Sequence, residues 1–148
     1  MAKIKLQKIV RAPIEKTVGY FGNPEIYYGV HSGDDVSYKV VSSGENEILI
    51  EEERAAGRQR LKSTSKMILH LPHRIDSEVI EGAGEGSKST TTFESVSEGT
   101  KVTLTMDMKL GGMVGGMAGR VLGRVLKKSM KKALEEEMEK DRKYLEGV

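Results

Sequence analysis

Few residues in this chain have the chemistry to act as catalysts or metal ligands. The three histidines are His31, His70 and His73, and there is no cysteine. His70 and His73 lie on either side of Pro72, which interrupts a strand ladder and indicates a turn, so their rings do not share a strand face. A zinc site takes two or three such rings on one face together with a carboxylate. We therefore predict no metal site, no cofactor and two exposed turn histidines.

His31 follows Tyr27 and Tyr28 at the exit of a short predicted helix, and these residues are the titratable groups that the sequence offers for catalysis. No serine lies in a G-x-S-x-G turn, the motif that would indicate a nucleophilic serine. The charge run at 51–54 lies on a predicted strand. Paired carboxylates act as acid and base when one of them is desolvated, and we interpret this run as a solvated edge. No catalytic residue is assigned.

The glycine-rich segment GAGEG at 82–86 has a spacing similar to that of a phosphate-binding loop. It lacks the following Lys-Ser/Thr pair and does not begin a helix. We therefore interpret it as a hairpin turn between two strands.

Length and composition exclude several classes of protein. The 148 residues are enough for one domain, with 37% hydrophobic and 31% charged residues, so a disordered chain and a multispan membrane protein are excluded. A net charge of +2 is low for a nucleic-acid binder. The absence of cysteine excludes a disulfide scaffold. The start, MAKIKLQKIVRAP, has neither the apolar core nor the cleavage site of a signal peptide, so we expect a cytoplasmic protein.

The spacing of apolar residues predicts an α+β domain over residues 1–148. Alternation at 3–11 predicts a strand, and helical spacing with Pro13, Gly22, Asn23 and Pro24 as boundary signals predicts two short helices. Residues 35–110 change to a period of two, with turns at hairpin spacing, which indicates six antiparallel strands. The predicted elements are a strand over 3–11, helices over 13–21 and 24–29, six strands over 35–110, and a long helix over 112–146.

Three segments carry a family resemblance: VRAPIEKTVGYFGNPE near the start, LHLPHRIDSEVIEG in the middle, and EGTKVTLTMDMKLGG before the terminal helix. With them the sequence resembles the START-type, pollen-allergen-like helix-grip superfamily (SRPBCC), in particular its polyketide cyclase/dehydrase-like branch. The resemblance implies a curved seven-stranded antiparallel sheet, in the order β-α-α-β6-α, around a long C-terminal helix with an apolar cavity between them. It also implies a lipid, sterol, polyketide or hormone ligand, and it places the segment around His31 close to one end of the cavity.

The terminal helix begins with glycines at four-residue spacing, including Gly115 and Gly119. Such spacing places them on one side of a helix, and each costs about 1 kcal/mol relative to alanine. Two interpretations stay open: close packing or a non-helical segment through about residue 116, and room for a ligand. The same side carries Leu122, Leu126, Met130, Ala133 and Leu134, which we expect to be buried.

The opposite side of this helix carries Val114, Met117, Val121 and Val125 beside six Lys and Arg residues. Such a stripe suits a homodimer partner, an anionic membrane surface, a ligand head group, or a loop that folds over it.

We expect the protein to bind a hydrophobic or amphipathic small molecule of the lipid, polyketide or isoprenoid class. The alternatives are a polyketide cyclase/dehydrase-like enzyme and a protein-interaction module that uses the helix stripe. The partners expected are a hydrophobic ligand, no nucleic acid, and contact with a membrane surface or a second copy through the helix. The predicted ligand-binding residues are Tyr27, Tyr28, His31, Leu61, Ser63, Ser65, Met67, Ser77, Phe93, Leu104, Met106, Met108, Gly115, Gly119, Leu122 and Leu126.

Overall fold

A computed structural model describes residues 2–33, 35–56, 58–109 and 116–148, without the side chains of Ala2, Ala56, Gln59 and residues 116–126. The element order is the predicted one. The elements are β1 (Ala2–Val10), α1 (Ile14–Phe21), α2 (Pro24–His31), β2 (Val36–Ser43), β3 (Glu47–Ala56), β4 (Gln59–His70), β5 (Arg74–Gly82), β6 (Lys88–Val96), β7 (Gly99–Met108) and α3 (Gly116–Glu146).

The seven strands form one open antiparallel sheet in the order β1-β7-β6-β5-β4-β3-β2. Neighbours in the chain are neighbours in the sheet from β2 to β7, as hairpin spacing predicts. The first strand pairs with the last, with Ile4 opposite Met106 and Leu6 opposite Leu104. The α+β fold class predicted from the sequence is therefore confirmed.

One face of the sheet, called the inner face here, packs against the helices. It is lined by alternate residues of each strand, because side chains on a strand point to opposite faces with a period of two. Its buried members include Ile4 and Leu6 of β1, Ile50 of β3, and Phe93 and Val102 of the β6–β7 hairpin. The inner face is thus the continuous apolar surface on which a site can be built.

The two short helices are positioned by local capping. The Asn23 side chain accepts hydrogen bonds from the backbone N–H groups of Glu25 and Ile26, and Pro24 follows it at the first helical position. This is the arrangement that the sequence predicts for a helix start. Gly22 ends α1 immediately before it, so α1 and α2 form a tight pair on the inner side of the sheet.

Lys8 interrupts the apolar alternation of β1, and the structure explains why. It lies on the inner face opposite Val102, where its amino group donates to the carboxylate of Glu139 on α3. Arg142 donates to the same carboxylate at 2.9 Å. A charged residue among the inward positions of β1 therefore attaches the C-terminal part of α3 to the edge of the sheet.

In the described part of α3, from Lys127 onward, the burial differs from the predicted stripe. The buried side chains there are Met138, Asp141 and Leu145. Leu134 is partly buried, whereas Met130 is 37% exposed and Ala133 is exposed. The prediction that Met130 and Ala133 are buried is therefore wrong, because the helix packs on α1, α2 and β1 through its last turns.

The segment 82–86 is a hairpin turn between β5 and β6, as predicted, and not a phosphate loop. Gly82 has φ +90°, and a Cβ there would lie 2.2 Å from the carbonyl oxygen of Lys62. A residue with a side chain would therefore clash with the neighbouring strand, which is why glycine occupies this position.

Among the described helices, none combines the length and apolar character that crossing a bilayer requires.

Candidate functional site

Three buried polar side chains meet where α1, α2 and α3 come together. The hydroxyl of Tyr20 donates to Oδ1 of Asp141 at 2.5 Å, and Nε2 of His31 donates to the same oxygen at 2.6 Å. The two donors lie 3.5 Å apart. Each of the three residues comes from a different helix, so this triad fixes the relative positions of all three helices.

The triad lies almost completely out of water. Asp141 is 3% exposed and His31 is 6% exposed. A buried carboxylate is tolerated when it is paired and hydrogen-bonded. Asp141 is paired with His31 and accepts hydrogen bonds from both His31 and Tyr20. Burial, followed by the hydrogen bond to Asp141, raises the pKa of Tyr20 far above its ordinary value. Tyr20 is therefore a neutral donor, and in a neutral His31 ring the second nitrogen, Nδ1, is the acceptor.

All five tyrosines and both phenylalanines of the chain belong to one aromatic cluster that surrounds the triad. Tyr20 stacks on Tyr144 with ring centroids 5.0 Å apart, and Tyr27 lies 4.5 Å from the His31 ring. The ring centroids of Tyr28 and of Tyr38 on β2 lie 4.3 Å apart. The cluster comprises Tyr20, Phe21, Tyr27, Tyr28, Tyr38, Phe93 and Tyr144.

A second group of charges adjoins the triad toward the sheet. Glu137 lies one helical turn before Asp141, on the same face of α3. Burial raises the pKa of Glu137, whereas the positive charges of His31 and of Arg54 on β3 lower it. The Arg54 guanidinium donates to the Glu52 carboxylate at 3.0 Å. The polar site therefore continues from the triad through Glu137 to β3.

The Glu52–Arg54 pair corrects the interpretation of the charge run as a solvated edge. β3 is not an edge strand but lies between β2 and β4. Glu52 is opposite Ser63, two positions along from the buried Ile50, so it is on the inner face. Glu51 and Glu53 point to the other face, where Glu53 accepts from Arg60 at 2.8 Å.

The structure brings most of the predicted ligand residues to one surface. Tyr27 and Tyr28 are partly buried in the cluster, and the Tyr28 hydroxyl lies 3.3 Å from the sulfur of Met67. Ser65 is opposite Ile50, and Ser77 is opposite Met67, which places both serines on the inner face. The remaining inner-face residues from the prediction are Ser63, Met67, Phe93, Leu104, Met106 and Met108.

Five predicted residues are not joined to this surface by the described contacts. Leu61 shares the strand face but is 43% exposed. Gly115 lies outside the described residues, and for Gly119, Leu122 and Leu126 the structure describes the helical backbone alone.

Five residues of the site were missed by the sequence analysis, namely Tyr20, Glu52, Arg54, Glu137 and Asp141. Asp141 had a detectable signal, because it lies three residues after Met138 and four before Leu145, a position that helical spacing assigns to the buried stripe. A carboxylate in such a position indicates a partner. Glu137 carried the same signal, because it lies three residues after Leu134 and four before Asp141. Tyr20, Glu52 and Arg54 carried none, since their role depends on which strands and helices meet.

His70 and His73 are exposed, as predicted, and His70 pairs with Asp76 at 3.2 Å. In the described part of the chain no three His, Asp or Glu side chains converge as a metal site. A groove of about 400 Å³ lies away from the aromatic cluster, where the residues 11–15 and 95–99 meet.

Comparison with known proteins identifies the architecture. No family model matches the sequence, and no curated protein matches it significantly. Solved structures do match over nearly the full chain. A protein of Thermus thermophilus superposes with a TM-score of 0.82 at 18% identity, covering 97% of this chain and 96% of that one. The chain has the helix-grip fold.

Other helix-grip proteins are similar over the same range. An aromatase/cyclase from a Streptomyces species has a TM-score of 0.68 at 10% identity, with 98% of this chain and 91% of that one covered. The di-domain ARO/CYC protein of the steffimycin pathway has a TM-score of 0.73 at 8% identity. There the match covers 99% of this chain and 50% of the longer protein. The superpositions establish the shared helix-grip fold, and at identities this low they establish the fold alone.

Proposed function

We propose that the protein binds a hydrophobic or amphipathic small molecule between α3 and the inner face of the sheet. The observation that carries the proposal is the arrangement of polar groups beside an apolar wall. A concave apolar surface with a few convergent polar groups is the usual form of a small-molecule site. Here the Tyr28 hydroxyl lies against the sulfur of Met67 on the inner face, and the Tyr28 ring packs on Tyr38.

The apolar wall has properties that suit a ligand of variable shape. Met67, Met106 and Met108 all lie on the inner face, and methionine adapts its conformation to irregular partners. Ser65 and Ser77 add hydroxyl groups to the same face. We propose a ligand of the lipid, polyketide or isoprenoid class.

A neutral apolar fluorophore, N-phenyl-1-naphthylamine, tests the binding function. We expect saturable binding near one molecule per chain, with displacement by decanol. Met106→Lys places a charge on the inner face and should weaken binding at least about tenfold, because an unpaired charge beside an apolar ligand must be desolvated. Thr105→Lys, on the exposed opposite face, is the matched control. Absence of saturable binding, or equal binding by the two folded variants, contradicts the proposal.

An enzyme of the cyclase/dehydrase kind is the second candidate, and the His31–Asp141 contact favours it. A carboxylate that holds an imidazole in one tautomer is a common element of acid–base catalysis. In that case His31→Gln should abolish turnover of a polyketide-like substrate while binding persists. Loss of binding and turnover together would favour a structural role for His31.

Membrane-surface contact and homodimerisation through α3 stay predictions. Lys127, Lys128, Lys131 and Lys132 are exposed on α3, which supports attraction to an anionic surface.

A further inference from the structure

We propose that the lysine-rich turns of α3 dock the protein on the surface of an anionic lipid bilayer. The docking surface comprises the exposed side chains of Lys127, Lys128, Met130, Lys131 and Lys132. The proposal gives a surface and a lipid class to the predicted membrane contact, and it does not depend on ligand binding at the inner face.

Positive charge is concentrated in one part of the chain. Of the 24 Lys and Arg residues, seven lie in residues 108–134, where there is no Asp or Glu, so 17 remain against all 22 acidic residues. The rest of the chain is therefore acidic, although the net charge is +2. A helix that carries four to eight Lys and Arg residues is attracted to the negative surface of an anionic leaflet. The docking surface is the described end of this basic part.

The four lysines lie on one side of the helix. Lys127 and Lys131 are four residues apart, as are Lys128 and Lys132, and side chains at this spacing are neighbours on a helix. The ion pairs described for α3 all involve residues 139–146. Among the described side chains, the four ammonium groups thus have no carboxylate partner, and their charge is available to an external anion.

Lysines on the outer face of the sheet are arranged differently, because each of several lies directly opposite a carboxylate on a neighbouring strand. These pairs are Lys39 with Glu51, Lys62 with Glu53, and both Lys3 and Lys88 with Asp107. Neighbouring charges of opposite sign are typical of an ordinary solvated surface. The docking surface on α3 differs from it in carrying charges of one sign.

Met130 favours a bilayer over a soluble polyanion such as a nucleic acid. Its side chain is 37% exposed among the lysines, and Ala133 is exposed one turn further on. Apolar side chains beside lysines enter the boundary between head groups and acyl chains. The aliphatic stems of the lysines can lie in the same boundary while their ammonium groups stay at the head groups. A phosphodiester backbone offers Met130 no such apolar partner.

Co-sedimentation with vesicles tests the docking. Phosphatidylcholine vesicles that contain about 30% phosphatidylglycerol should bind the protein at least about tenfold more tightly than pure phosphatidylcholine in about 0.05 M NaCl, and about 0.5 M NaCl should abolish the difference. Replacing the four lysines together should lower binding to the mixed vesicles at least about tenfold. The substitutions are Lys127→Gln, Lys128→Gln, Lys131→Gln and Lys132→Gln.

A second fourfold variant is the matched control, because it changes the net charge equally at exposed positions of the sheet. It should bind the mixed vesicles within about twofold of the wild type, because these lysines lie opposite carboxylates. Its substitutions are Lys3→Gln, Lys39→Gln, Lys62→Gln and Lys88→Gln. Circular dichroism establishes that both variants are folded.

A single fluorescent label tests the orientation, since the chain has no cysteine. A nitrobenzoxadiazole group on Met130→Cys should shift its emission to the blue on mixed vesicles, whereas the same group on Thr105→Cys, exposed on the outer face of the sheet, should not.

Equal shifts at the two labels, equal binding to both kinds of vesicle, or equal losses in the two fourfold variants would overturn the inference. So would a DNA duplex that binds as tightly as the mixed vesicles at the same phosphate concentration. Binding of N-phenyl-1-naphthylamine without vesicles is measured separately in each variant, so failure of the docking is distinguishable from failure of the ligand-binding function.

Discussion

One oxygen of Asp141 receives hydrogen bonds from Tyr20 on α1 and from His31 on α2. Removal of this carboxylate would leave two buried polar groups without their acceptor, and the loss would be felt by both helices. Breaking a buried pair in this way costs more than the pair itself contributes, because the remaining partners stay desolvated. The stability of the helix junction therefore depends on Asp141 more than on any contact at the exposed surface of α3.

Asp141→Ala should lower the free energy of unfolding by about 3–5 kcal/mol. Glu135→Ala, at an exposed position on the same helix, should change it by less than about 0.5 kcal/mol. Urea unfolding followed by circular dichroism measures both values. If the two variants were equally stable, the triad would contribute nothing to holding the helices together.

At the scale of elements, the last turns of α3 hold it to β1 and α1. Glu139 accepts from Lys8 of β1, and the amino group of Lys16 on α1 donates to the Leu145 carbonyl at 2.8 Å. Arg142 links Glu139 to Glu146 within the helix. The turns from 127 to 133 are exposed. Within the described side chains of α3, the contacts with β1 and α1 thus lie in its last turns.

This attachment should be sensitive to acid. The hydrogen bonds from Arg142 and Lys8 lower the pKa of Glu139 to about 2. A carboxylate whose pKa is lower in the folded than in the unfolded state stabilises the fold above the unfolded value, and the contribution disappears as the pH falls through the folded value. The loss should therefore occur between about pH 5 and about pH 2.

Glu139→Gln should remove this part of the pH dependence, so its melting temperature should fall less steeply than that of the wild type over the acid range. Glu135→Gln again serves as control and should retain the wild-type slope. A wild-type slope in Glu139→Gln would mean that the ion pairs between α3 and β1 do not hold the helix.

For the whole molecule, local patterns predicted the architecture, whereas the site depends on contacts between distant segments. The alternation around Met106 and the Asn23-Pro24 helix start need no more than neighbouring residues, and both predictions are confirmed. Asp141 lies 121 residues from Tyr20 in the sequence, and no local rule connects them. The Glu52–Arg54 pair was misread for the same reason, because the strand order decides whether β3 is an edge.

The concentration of every tyrosine in one cluster has a spectroscopic consequence. The chain has five tyrosines and no tryptophan, so its intrinsic near-ultraviolet fluorescence comes from the aromatic cluster at the helix junction. Rings 4.3–5.5 Å apart exchange excitation energy, and a nearby carboxylate or imidazole quenches tyrosine emission. The tyrosines are therefore an intrinsic probe, and we expect their emission and polarisation to change when a ligand binds at the inner face beside Tyr28.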